Sequence, residues 1–208
     1  MYSIKAVVVS VNFLFILYTS ATSENSSSAI SEEKYLFDFT KNDDVEAWQE
    51  QSDTVRDVGM SKAVFVIHKN KGFRRAIFFA LLNPQQNGAG FAGIRAIQTY
   101  NLQGHTKLQI RCRGQGQYKG FKVVLRHKGL NYEPCYSFEQ YFQAPKDEFA
   151  VCNLAYNEFK AYYRGKRANE TLDLSQVSSI GFQMYGGVYQ PVKQKGPATL
   201  EIDWIRSV

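Results

Sequence analysis

Between Leu108 and His127 apolar and polar residues alternate through two runs separated by Gly114-Gln115-Gly116. Leu108, Ile110 and Cys112 share one face of the first run, and Phe121, Val123 and Leu125 share one face of the second. Gln109, Arg111, Arg113, Lys122 and Arg126 take the opposite parity. A period of two places an apolar set on a core and leaves a basic set facing outward. Glycine at a corner accepts backbone angles that a Cβ resists, so the pattern predicts a β-hairpin with its basic side chains on one surface.

The same period recurs along the chain. Tyr35 to Phe39 reads as a strand with Phe37 and Phe39 pointing the same way, and Asn42 to Trp48 as a short helical turn. Strands follow at Val64 to His68, Ala76 to Leu82 and Phe91 to Ile97, then beyond the hairpin at Tyr136 to Phe142 and Glu148 to Leu154. Ile180 to Met184 adds another, and Ala198 to Ile205 closes the series with Leu200, Ile202 and Trp204 on one face. About ten short strands with turn signals between them predict an all-β, antiparallel β-sandwich or jelly roll.

The N-terminus follows a different pattern. Lys5 precedes an apolar run from Ala6 to Tyr18, and Ala21-Thr22-Ser23 offers small residues for cleavage. That is the layout of a secretory signal peptide, and the run is short for a membrane span. The expected organisation is a signal peptide at 1–23, a Ser/Glu-rich flexible leader at 24–34 and one β-sandwich domain at 35–208. The mature chain is then secreted and carries no transmembrane segment. A mitochondrial presequence, the alternative, is typically Arg-rich, yet the first Arg is Arg56. Asn25-Ser26-Ser27 and Asn169-Glu170-Thr171 are N-glycosylation acceptors, in keeping with the secretory route.

Charge and chemistry narrow the function. Of 208 residues 44% are hydrophobic, enough for one core, and the formal charge is +6. Lys5 is the only charged residue of 1–23, so removal of the signal peptide lowers that charge by one. A modest positive excess favours acidic partners such as anionic glycans, and without a basic helix or aromatic RNA-binding motif it argues against nucleic acid. Cys112, Cys135 and Cys152 allow one disulfide in any of three pairings and leave one thiol over. They do not make a zinc set, because no C-x-x-C occurs. His68, His105 and His127 stand in no local nucleophile or metal-ligand spacing, so the chain reads as non-catalytic.

The ordered motifs resemble the complex I intermediate-associated protein 30 family. They are Phe37-x-Phe39, Trp48, Asp53 before Gly59-Met60-Ser61, and Gly90-Phe91-Ala92-Gly93-Ile94. Next come Leu108 to Gly116, Arg164-Gly165-Lys166, Val177 to Phe182, and Gly196-Pro197 through Ile205. The resemblance implies a galactose-binding-domain-like jelly roll with no established catalytic residues. It also implies a role in assembling mitochondrial respiratory complex I, which a secretory leader opposes. Gln115 stands where relatives carry Asp, and Cys152-Asn153-Leu154 where they carry Ile-Pro-Phe. The loss of that Asp leaves Arg111 and Arg113 short of a counter-charge.

No cofactor is implied. Jelly rolls often hold a structural calcium ion, and Asp38, Glu201 and Asp203 on the terminal strands are its candidate ligands. The competing reading makes them solvated carboxylates or partners of Lys and Arg, and it weighs more because calcium needs six or more oxygens. The ligand surface is sought instead among aromatic and amide residues. Tyr185, Tyr189 and Gln190 lie in a Gly-rich segment suited to stacking on a sugar or contacting a protein. With Arg111, Arg113, Lys122 and Arg126 they form the candidate surface for a glycan or extracellular protein, acidic ones included.

Overall fold

A computed structural model describes residues 32–42 and 45–208. The signal peptide, Asn25, most of the leader, and Asp43 and Asp44 in the expected helical turn lie outside the described residues. The described residues form thirteen strands: β1 (Lys34–Asp38), β2 (Trp48–Glu50), β3 (Lys62–Lys69), β4 (Arg74–Leu82), β5 (Phe91–Tyr100), β6 (Lys107–Gly116), β7 (Phe121–His127), β8 (Ser137–Phe142), β9 (Ala150–Ala155), β10 (Lys160–Tyr163), β11 (Lys166–Arg167), β12 (Val177–Tyr185) and β13 (Gly196–Ser207). Between Asn42 and Trp48 there is a turn rather than a helix among the described residues.

Two antiparallel sheets result, as the alternation predicts. The first runs β3-β4-β13-β6-β9, with β1 paired to the far end of β13; the second runs β11-β10-β8-β7-β12-β5-β2. Their facing sides bury Phe78, Ile110, Cys112 and Leu200 from the first sheet against Phe121, Phe138, Ile180 and Phe182 from the second. Phe37 and Phe39 stack on each other at 5.7 Å and close on Trp48 at 4.9 and 6.3 Å. Each buried large apolar side chain contributes roughly 1.5–3 kcal/mol. Together these residues hold the two layers together. No helix among the described residues is long and apolar enough to cross a membrane.

The expected hairpin is a crossing between sheets. β6 pairs with β13 and β9, whereas β7 pairs with β12 and β8, and the two strands lie in opposite layers. Tyr118 explains the crossing. Its ring enters the space between the layers, 4.8 Å from Phe121, and its hydroxyl donates to the Ala144 carbonyl at 2.9 Å. A Cβ on Gly114 would lie 2.2 Å from the Tyr118 hydroxyl oxygen, so glycine makes room for the ring. Gln194 pins the crossing from outside: its amide oxygen accepts from the Lys119 N–H at 2.8 Å and its amide nitrogen donates to Gly120 O at 2.9 Å.

A second departure lies in β13. The pairing with β6 shifts between Ile202 and Trp204, so Ile205 faces the core opposite Ile110. Trp204 therefore leaves the face of Leu200 and Ile202 and packs edge-on against Tyr35 at 5.9 Å.

Candidate functional site

Because β6 and β7 occupy different sheets, the basic residues of the Leu108–His127 segment divide between two outer faces. Arg111 and Arg113 stand on the first sheet, Lys122 and Arg126 on the second. They do not form one surface.

On the first sheet the arginines have their counter-charges. Arg111 pairs with Asp203, and Arg113 reaches Glu201 at 2.9 Å. Arg75 bridges the two acids, 2.9 Å from Glu201 and 3.7 Å from Asp203. The Gln115 amide also donates to Glu201, so the residue expected to leave the arginines unbalanced joins their network. Phe149 lies over the guanidinium groups, 4.0 Å from Arg75 and 4.9 Å from Arg113. Burial pushes the Glu201 carboxyl up, but hydrogen bonds from Arg75 and Arg113 outweigh it and hold it below the ordinary value. At Asp203 burial prevails over Arg75 and Arg111 and holds the carboxyl above it. The calcium candidates are thus committed elsewhere: Glu201 and Asp203 to arginines, and Asp38 to Thr40 and Lys41. No group of three or more His, Cys, Asp or Glu among the described residues is placed to hold a metal ion.

The second sheet carries a more varied outer face. At one end Arg126 donates to the carbonyls of Cys135 at 2.9 Å and Tyr136 at 3.3 Å, folding the loop after β7 back over the strand. Arg95 bonds the Asn131 carbonyl of the same loop and lies 4.5 Å from the Tyr132 ring. Both arginines are only 7% exposed, so Arg126 is a loop anchor rather than a free contact. Two glycines permit this flat packing. A Cβ on Gly181 would meet Arg95 at 3.1 Å, and one on Gly93 would meet Gln183 at 2.6 Å.

The other end of that face gathers tyrosines. Tyr141 of β8 meets Tyr185 of β12 edge-on at 4.9 Å and Tyr162 of β10 at 6.4 Å. Gln190 hydrogen-bonds Tyr141, and burial raises the phenol pKa of Tyr141, Tyr162 and Tyr185, so all three stay neutral donors. Beside them Lys122 reaches Glu139 at 2.7 Å, and the Ser137 hydroxyl donates to the same carboxylate at 3.0 Å. Two of the sequence candidates, Tyr185 and Gln190, therefore come together with Lys122. Tyr189 is 59% exposed and leans over Gly165, where a Cβ would stand 3.0 Å from its ring.

Arg95, Glu139, Tyr141, Tyr162 and Gln183 were not among the sequence candidates. The signal for Glu139 and Tyr141 was their parity in Ser137-Phe138-Glu139-Gln140-Tyr141-Phe142, opposite to the buried Phe138. Asn169 is exposed in the irregular stretch after β11. Cys112 and Cys152 approach to 3.7 Å between sulfurs on neighbouring strands, and Cys135 lies apart in the loop after β7. Hydrogen bonding with Cys152 and burial push the Cys112 thiol up, and the same bond lowers Cys152.

Solved structures with this architecture include a family 11 carbohydrate-binding module from Clostridium thermocellum in complex with a β-1,3-1,4-mixed-linked tetrasaccharide. It is 17% identical with a TM-score of 0.60, the match covering 85% of this chain and 95% of that one. A family 30 carbohydrate-binding module of a cellulosomal cellulase from the same organism is 10% identical with a TM-score of 0.54, covering 85% and 96%. An exo-β-agarase matches at 14% identity and a TM-score of 0.55, over 84% of this chain and 24% of that one. At these identities the likeness is one of fold, a galactose-binding-like jelly roll. No curated protein matches the sequence. The family described as complex I intermediate-associated protein 30 matches residues 37–202, and the chain belongs to that family.

Proposed function

We propose that this protein is a secreted, non-catalytic binding module whose ligand is a glycan held on the outer face of the second sheet. The observation that carries the reading is the cluster of Tyr141, Tyr162 and Tyr185 beside Gln190 and the Lys122–Glu139 pair. Flat rings offer stacking surfaces to the C–H face of a sugar, while the Gln190 amide and the phenol hydroxyls meet its hydroxyls. The apolar leader and the exposed Asn169 acceptor support the secretory route. A glycan array probed with the tagged protein tests the reading. Binding to a restricted set of glycans is expected; no glycan binding, with selective capture of a protein, would overturn it.

A second reading is a protein-assembly factor of the kind the family resemblance implies. It is favoured by Val64, Val66, Phe79 and Leu81, which stand exposed together on the outer face of β3 and β4. Localisation separates the two. A glycosylated chain in the medium supports secretion, and an unglycosylated chain inside mitochondria supports assembly.

A further inference from the structure

The crossing from β6 to β7 opens a cleft that the tyrosine face does not include. It has a volume of about 350 Å³ and is lined by Lys119, Lys146, Lys193 and Lys195 around Tyr118 and Gln194. The four lysines come from three separate connections: the crossing, the loop between β8 and β9, and the loop between β12 and β13. All four are exposed, and none is ion-paired with a carboxylate among the described residues. Elsewhere on the surface Lys122, Lys128 and Lys62 each have an acidic partner. Asp147, which neighbours Lys146 and acts on Tyr118, is the carboxylate whose charge reaches the cleft floor.

Hydrogen bonds fix the floor. Gln194 is buried and fixes the Lys119–Gly120 turn through both ends of its amide, and Tyr118 is buried beneath with its hydroxyl bonded to Ala144 O. The Lys146 ammonium lies 5.1 Å from the Tyr118 ring centroid. Four exposed lysines lining one concave floor, without carboxylate partners among the described residues, make it attractive to an anion. Ammonium groups act as point charges without the fork geometry of arginine, so they suit sulfate or carboxylate groups spaced along a flexible polymer.

The position of the cleft indicates which polymer. Gly120 follows the lining Lys119 and accepts a hydrogen bond from the lining Gln194. It packs so closely on Tyr185 that a Cβ there would lie 2.9 Å from the tyrosine hydroxyl, which places the tyrosine cluster next to the cleft. We infer that the lysine cleft is an anion subsite continuous with the tyrosine face, and that the ligand is an acidic polysaccharide bearing sulfate or carboxylate groups. The inference rests on the glycan reading given above and adds the charge of the ligand. A chain stacked on Tyr141 and Tyr185 extends past Gly120 and places its acidic substituents among the lysines.

The test is calorimetric titration of the full protein with a sulfated glucan oligosaccharide and its desulfated parent, for the wild type and the Lys119→Gln/Lys193→Gln/Lys195→Gln variant. These lysines are exposed, and an unchanged melting temperature shows that the variant folds. The sulfated ligand is expected to bind the wild type about ten-fold more tightly than its parent, since each exposed ion pair contributes a fraction of that factor. The variant loses that preference and keeps its affinity for the parent. Raising salt from about 0.15 to 1 M, which shortens the screening length from about 8 to 3 Å, removes the preference as well. Equal binding of both ligands to the wild type overturns the anion subsite and leaves the glycan reading standing. A preference that survives in the variant assigns the charge recognition elsewhere. Binding of neither ligand, with a phosphorylated peptide captured through the same lysines, overturns the glycan reading together with the inference.

Discussion

Asp53 and Ser61 are joined twice: the Ser61 N–H donates to one carboxylate oxygen and its hydroxyl to the other, each at 2.8 Å. The second oxygen also accepts from the Phe91 N–H at 3.2 Å, and the Ser61 hydroxyl accepts from the Asn83 N–H at 3.0 Å. One buried carboxylate thus ties the start of β3, the start of β5 and the end of β4. Gly90 stands so close that a Cβ there would lie 2.8 Å from this oxygen. The Asp and Ser of the family motif act in building the fold.

Replacing Asp53 with Ala strands two backbone donors and a hydroxyl. Each buried group left unpaired costs about 1–3 kcal/mol, so Asp53→Ala is expected to lower stability by several kcal/mol. Asp53→Asn keeps one acceptor and loses less. Urea unfolding of the two variants checks the order; equal losses, or none, contradict the hub.

His127 confers a pH dependence. Its Nδ1 accepts from the Asp173 N–H at 2.8 Å, which requires the neutral ring. Burial and then Lys128 lower its pKa from 6.5, against the weaker pull of Asp173 and Glu170. A base with a depressed folded pKa takes up its proton first in the unfolded chain. Stability is therefore full above about 6.5 and is lost as pH falls from there toward the folded value. The melting temperature should fall more steeply below that pH in the wild type than in His127→Asn. Parallel curves would exclude His127 as the source.

The cysteines have a definite expected pairing. Cys112 and Cys152 lie on adjacent strands in diagonal register, Cys112 opposite Ala150 and Cys152 opposite Ile110. Exchange with a small-molecule disulfide, which is reduced to two thiols as the pair is oxidised, is expected to join them and leave Cys135 free. Thiol titration should then count one reactive group of the three. Peptide mapping that finds Cys135 in the bond contradicts the assignment.

Much of the architecture was legible because burial on one side of a sheet imposes a period of two. Ile180 with Phe182 marks a strand and the face it buries, while Phe37 marks β1 and Phe39, just past its end, still turns inward onto Trp48. The crossing at Tyr118 was not legible. A hairpin and a crossing leave the same alternation in both flanking strands, and what separates them is a ring inserted above Gly114. Trp204 was misplaced for a related reason, since one extra residue in β13 reverses parity beyond Ile202. The site was legible in part. Tyr185 and Gln190 stood out in a loop of tyrosine, glycine and amide residues, whereas Tyr141 and Glu139 come from a strand whose neighbours only the topology supplies. The lysines of the cleft come from three stretches far apart in sequence and line it together because three loops share one end of the sandwich.

On the proposed reading, the tyrosine cluster on the second sheet holds a glycan. A glycan array comparing the wild type with Tyr141→Ala/Tyr185→Ala tests it most directly. At roughly the 0.5–1.5 kcal/mol of an aromatic pair for each ring, the two rings together supply about 1–3 kcal/mol, so the double substitution should reduce binding about five-fold or more on every glycan the wild type recognises. Retention of the folded melting transition, with binding lost, is the predicted result. Undiminished binding by the folded double variant, or a wild type that binds no glycan, would contradict the account.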